Sequence, residues 1–242
     1  MRLIYIYHSC FVLMADNCAV VMDYFRDTDE NPQKGWIHTM LLRRPGPLYV
    51  LASHFHPDHY KHEIFDWQTQ KSDIHYILSH DILKRRRAKA TEATFLNKGD
   101  EYKDDNIEIK AFGSTDTGCS FRIHVDGRTV FHAGDLNNWA WVKESTPEEV
   151  KKAEDDYLKE LADLAAETPK IDLAMFPVDP RMETNYMRGA EQLVEKIPVT
   201  LFVPMHFWER PKEVDGFAKI AESHNTRFLL LSHPGEGVEL RF

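Results

Sequence analysis

The densest chemistry in the chain lies at Ser53-His54-Phe55-His56-Pro57-Asp58-His59. It follows directly on Leu48-Tyr49-Val50-Leu51-Ala52, an apolar run that predicts a strand buried on both faces. An extended strand end throws alternate side chains to one side, so His54 and His56 can reach one metal ion together. Pro57 forces a turn, after which Asp58 and His59 face a second ion. Imidazole and carboxylate donors suit zinc best, with manganese and iron as alternatives, at one or two ions per chain. The competing reading is a polar loop that happens to be rich in histidine. Three histidines and an aspartate within six residues, straight after an apolar strand, argue against it.

Two other positions repeat this strand-end placement. Asp135 closes Phe131-His132-Ala133-Gly134-Asp135, where Gly134 lets the backbone turn sharply. A carboxylate there can bridge two cations. His206 follows Leu201-Phe202-Val203-Pro204-Met205 in the same way. A capping or turn aspartate and a loop histidine are the plainer alternatives. His132 points either to the site or to the core, and strand alternation does not decide which.

With these residues in view, the chain resembles the metallo-β-lactamase superfamily. The pattern is His-x-His-x-Asp-His, then Gly-Asp after a strand, then a late strand-end histidine. Gly113-Ser114-Thr115-Asp116-Thr117-Gly118, His132-Ala133-Gly134-Asp135 and Pro204-Met205-His206 are similar to the branch that includes ascorbate-6-phosphate lactonase. The resemblance implies a four-layer αββα sandwich. It also implies that His54 and His56 hold a first metal, that Asp58, His59 and His206 hold a second, and that Asp135 bridges them. Most members supply a third first-site histidine near residues 114–118, where this chain has none. Asp116 is the candidate substitute; an Asx turn in a Gly-rich loop is the alternative. In the lactonase-like branch a histidine near His8 lies beside the site, which makes His8 a candidate substrate contact against a turn histidine.

The implied chemistry is hydrolysis of a small ester, lactone or phosphoester by metal-activated water, with Asp58 as proton acceptor. Trp139, Trp141, Phe207 and Trp208 follow the candidate ligands closely and are placed either to line an apolar cleft or to pack beneath the loops. Arg181, in Val178-Asp179-Pro180-Arg181, is a candidate for binding a substrate phosphate or carboxylate, against a surface salt bridge. Ser53 and Ser120 have no independent support as nucleophiles. Lys84-Arg85-Arg86-Arg87-Ala88-Lys89 reads as a solvated basic face unless it borders a cleft. Two other functions compete. A nuclease or phosphodiesterase of the same superfamily needs a basic groove, and a non-catalytic metal-binding protein is motivated by the missing histidine.

The rest of the chain must position these residues. It has 242 residues, 43% hydrophobic and 29% charged, enough for one sizeable core. The net charge of −9 argues against nucleic acid as partner and leaves a small molecule. No apolar run is long enough to span a membrane. Cys10, Cys18 and Cys119 form no Cys-x-x-Cys pair, which fits a reducing cytoplasm. The oligomeric state is open.

Antiparallel strands are expected over the first 22 residues, mostly loop over 27–47 with a short helix near 37–42, and helical turns at 61–67 and 81–90. Further strands are expected at 74–78, 107–112, 120–125, 129–132, 171–176, 200–203 and 227–231. Asp126-Gly127 marks a hairpin. Thr146-Pro147-Glu148-Glu149 opens a helix with a capping box, followed by Val150, Ala153, Tyr157, Leu161 and Leu164 at helical spacing. Helices are also expected near 189–196 and 212–223. This order predicts a single α/β domain over 1–242, with β-rich halves at roughly 1–112 and 113–242 inside outer helices.

Overall fold

The computed structural model describes residues 1–242 and consists of two seven-stranded sheets with helices outside them. The first sheet contains β1 (Arg2–Tyr7), β2 (Cys10–Met14), β3 (Ala19–Met22), β4 (Leu48–Ala52), β5 (Ile74–Ser79) and β6 (Thr94–Leu96) in sequence order. The second begins with β7 (Glu101–Lys103), β8 (Glu108–Phe112), β9 (Ser120–Val125) and β10 (Arg128–His132). It continues with β11 (Ile171–Pro177), β12 (Val199–Met205) and β13 (Arg227–Phe228). β14 (Gly237–Glu239) returns to pair with β1. In each sheet one half is antiparallel and the other parallel: β3–β4–β5–β6 and β10–β11–β12–β13.

The first sheet is buried on both faces, which explains its unbroken apolar runs. Leu3, Tyr5, Phe11, Leu13, Val20, Met22, Tyr49 and Leu51 face the second sheet within a core of 47 buried residues. Their alternates Ile4, Ile6, Val12, Val21, Leu48 and Val50 face a second cluster of 20 residues under the outer helical segments. On the far side, helix Pro147–Glu167 starts at the expected capping box and buries Tyr157, Leu161 and Leu164 against the second sheet. This is the expected α/β sandwich. No helix is long and apolar enough to cross a membrane. The three cysteines are buried and unpaired.

Several expectations need correction. The strand expected at 107–112 does not join the first half: β7 and β8 belong to the second sheet, and β14 crosses back to the first. The helix expected over 81–90 ends at Lys84, because Arg86 takes a left-handed φ of 57° that reverses the chain. The helix at 212–223 breaks at Asp215-Gly216 into Pro211–Val214 and Phe217–Ser223. The strand at 227–231 is only two residues long.

Parallel strands all point the same way, so their C-terminal ends lie along one edge of the sandwich. Five such ends carry polar residues: Asp23 after β3, Ser53-His54 after β4, Asp135 after β10, Asp179 after β11 and His206 after β12. The β1–β2 turn adds His8.

Candidate metal centre

These strand ends form two adjacent sets of donor atoms. In one, His54, His56, Asp116 and Asp135 place their ligand atoms within 4.8 Å of one another; in the other, His8, Asp58, His59 and His206 do so. Asp135 joins the two. Its Oδ2 is 3.4 Å from His54 Nε2, while its Oδ1 is 3.1 Å from His59 Nε2 and 3.4 Å from His206 Nε2. His56 Nδ1 lies 3.2 Å from Asp116 Oδ2, and His8 Nε2 lies 3.5 Å from Asp58 Oδ2.

The hydrogen bonds behind the rings set their tautomers. Ser53 Oγ donates to Asp23 Oδ2 at 2.7 Å and so accepts from His54 Nδ1 at 2.9 Å. His59 Nδ1 donates to Asp23 Oδ2 at 2.7 Å, and His206 Nδ1 donates to Asp179 Oδ2 at 2.9 Å. An ionised carboxylate only accepts, so all three rings carry their proton on Nδ1. Each therefore aims the Nε2 lone pair inward. The Nε2 atoms of His8, His54, His59 and His206, together with Asp135 Oδ1, are buried without any hydrogen-bond partner. Buried polar atoms rarely remain unpaired, and convergent lone pairs with their rear nitrogens held by acids are what a divalent cation requires. The residues thus fit a metal.

Electrostatics agree. Burial alone would raise the Asp135 carboxyl, but the imidazoles of His59 and His206 beside it outweigh burial and hold it well below the usual carboxylate range. Burial, with His206 adding to it, pushes the His8 imidazole down to about 3, leaving it neutral near pH 7 with a lone pair to donate. Asp179 is also raised by burial, yet the hydrogen bonds from His206 and Arg181 bring it down to about 2.

Close packing sets the loops. Gly118 has a φ of 72°, and a Cβ there would lie 2.1 Å from the Ser53 carbonyl oxygen and 2.6 Å from His54 Cβ. Cys119 N donates to that same carbonyl at 2.9 Å. Thr115 Oγ1 donates to the Asn137 carbonyl at 2.6 Å, tying the 114–118 loop to the segment after Asp135. This holds Asp116 beside His56. The Ser114 hydroxyl, not the Asp116 carboxylate, caps the local turn, accepting from Asp116 N at 3.3 Å. His8, Asp23, His206 and Trp208 all adopt left-handed φ between 51° and 65°. Such strain collects where the surrounding structure fixes side chains for a task.

A cleft of about 410 Å³ opens over the centre, lined among others by Asp58, Asp116, Trp139, Trp141 and Arg181. The Trp139 and Trp141 rings are nearly parallel, 6.4 Å apart, and Trp139 Nε1 donates to the Asp135 carbonyl at 2.8 Å. Arg181 does reach the cleft, but its Nε donates to both Asp179 oxygens, at 3.0 and 2.9 Å. His8, expected as a substrate contact, is fully buried and absent from the cleft wall; it belongs to the second donor set instead. His132 faces the core. Its Nε2 donates to the Ser9 carbonyl at 2.9 Å and its Nδ1 accepts from Gly134 N, clamping β10 to the β1–β2 turn. Sequence reasoning missed Asp23 and Asp179 as partners of the histidines. Both directly follow apolar strands, the same signal that singled out Asp135.

Residues 2–149 match the family described as the Beta-lactamase superfamily domain. A UPF0173 metal-dependent hydrolase of Natranaerobius thermophilus is 24% identical over 99% of this chain and all of that protein. A second, from Symbiobacterium thermophilum, is 25% identical over 78% of this chain and 80% of its own length. Among solved structures, a metallo hydrolase from the archaeon Ignicoccus hospitalis superposes with a TM-score of 0.71 at 18% identity, covering 100% of this chain and 98% of that one. A diiron beta-hydroxylase from Streptomyces venezuelae gives 0.68 at 12% identity, covering 99% of this chain and 54% of that one. Likeness at these identities concerns the fold.

Proposed function

Since the chain belongs to the metallo-β-lactamase superfamily, we propose that it is a metal-dependent hydrolase of a small ester, lactone or phosphoester. The observation that carries this reading is the set of buried, unpartnered Nε2 atoms converging with Asp135 beneath an open cleft. His54, His56 and Asp116 would hold one ion, with Asp116 in place of the histidine more usual in the family. His8, Asp58, His59 and His206 would hold a second, and Asp135 would serve both. The mixed imidazole and carboxylate donors suit zinc, with manganese and iron as alternatives. Bound there, a divalent ion supplies Lewis acidity, bringing water toward a pKa of about 7.

The chain's own residues do the rest. Asp58 lines the cleft. Burial alone would raise its carboxyl, but the imidazole of His8, 3.5 Å away, and that of His59 hold it far below the usual range. It is therefore ionised at neutral pH and available to take a proton from water and return it to the leaving group. Trp139 and Trp141 offer parallel indole faces to an apolar or planar part of the substrate. Arg181, held by Asp179, brings positive charge to the same wall and would orient an anionic part.

The test is turnover by zinc- and manganese-loaded protein on a panel of lactones, aryl esters and phosphodiesters, with metal content measured in parallel. Turnover should occur with at least one class, and Asp58→Asn should lower kcat by about 100-fold or more. Absence of turnover from every class with both sites filled would overturn the reading.

A further inference from the structure

The loop at 54–59 separates two cavities. His56 and Asp58 line the cleft over the candidate metal centre, whereas the alternate residues Phe55 and Pro57 line a second cavity of about 360 Å³ on the other side. That second cavity is cationic. Lys61 and His62 enter from the start of the segment His62–Thr69, and Arg86 and Arg87 from the reversal after helix His80–Lys84, with Tyr60 between them. Lys61, Arg86 and Arg87 form no ion pair, while Glu92 lies 3.9 Å from His62 Nε2 and 3.8 Å from Lys89 Nζ. Arg86 is held at a left-handed φ of 57°, a conformation that disfavours residues with a Cβ, asparagine and aspartate least. The fold nevertheless fixes it there: Arg86 N donates to the Leu83 carbonyl at 2.8 Å and Arg87 N to that of Ile82 at 2.9 Å.

We infer that this cavity is a second ligand site, distinct from the metal centre, that binds a phosphate-class oxyanion. Three basic side chains line this concavity without an ion-pair partner, in a chain whose net charge of −9 leaves carboxylates to spare for pairing. Lysine and arginine side chains that line one cavity from two elements supply the kind of donors that the several acceptor oxygens of a phosphate require. The cavity shares a wall with the histidine-rich loop, so an anion seated there packs against Phe55 and Pro57, whose neighbours His56 and Asp58 face the metal cleft. The basic run at 84–89 therefore does border a cavity, although not the one over the metal residues.

The experiment is a titration of the metal-loaded, ¹⁵N-labelled full chain with inorganic phosphate at constant low ionic strength, followed by backbone amide shifts. A sodium chloride titration serves as control. Saturable shifts are expected at the amides of residues 60–62 and 86–88, separable from any at residues 58, 116 and 135. Arg86→Asn/Arg87→Gln, which tolerates the left-handed backbone, should weaken that binding by about tenfold or more, and Lys61→Gln on the other wall by several-fold. Shifts confined to the metal-cleft residues, a chloride response equal to that of phosphate, or unchanged affinity in both variants would overturn the inference.

Discussion

Replacing Asp23 with asparagine isolates what one buried carboxylate does for the candidate metal centre. Asp23 sits at φ 51°, a conformation asparagine accepts readily, so the backbone does not confound the exchange. Its Oδ1 accepts from Ser53 N, and its Oδ2 accepts from both Ser53 Oγ and His59 Nδ1, all at 2.7 Å. An amide cannot repeat this pattern. If its NH₂ replaces Oδ2, it opposes the proton on His59 Nδ1. Ser53 must then accept from it and donate to His54, so both rings reverse tautomer and turn protons, not lone pairs, inward. If the amide flips, its NH₂ opposes the buried Ser53 N–H, which costs about 1–3 kcal/mol. Expected results for Asp23→Asn are a 10- to 100-fold loss of metal affinity, a loss of stability of about 1–3 kcal/mol, or a division between the two. Competition with a chromophoric chelator reads the first. Thermal unfolding reads the second, at roughly 2–4 °C per kcal/mol for a chain of this size. A variant that binds metal within about twofold of the parent and melts at the same temperature would refute the tautomer argument.

Asp116→Ala should lower metal content from about two ions per chain to about one, and Asp116→His should keep both; elemental analysis of purified protein reads this directly. Gly118→Ala should cost about 3 kcal/mol, since the new Cβ meets backbone at 2.1 Å and the φ is left-handed, whereas Gly127→Ala, with nothing within 4 Å, should cost about 1 kcal/mol. Comparing the two melting temperatures checks the packing argument. Asp27 is buried and accepts from His38 Nδ1 and from three backbone amides. Burial would raise its pKa, but these hydrogen bonds hold it below the ordinary value. Its contribution is therefore present above a pH of about 4 and lost as pH falls through the lower folded value. Urea titrations from pH 6 downward should show the advantage of the parent over Asp27→Asn, about 1–3 kcal/mol, shrinking in that acid range; an advantage that grows on acidification would contradict the assignment.

What the sequence determined by itself is whatever is encoded within one strand and its end. Val20-Val21-Met22, Leu48 to Ala52 and Leu201 to Val203 read as buried strands because both their faces are covered, and the polar residues that follow are legible as strand ends. His54, His56, Asp58, His59, Asp135 and His206 were found that way, as was the capped helix at 147–167. Strands β6, β7 and β14 were not, because three residues are too short to show a period. Only the tertiary structure decided which acid stands behind which ring, that Asp116 faces His56, and that His8 lies inside the donor set. It also brought Arg86 and Lys61 to one cavity. These are contacts between strand ends and loops tens of residues apart, and they depend on sheet order and loop packing. Local periodicity carries no record of either, since it fixes the direction of a side chain along its own strand and not the neighbour it meets.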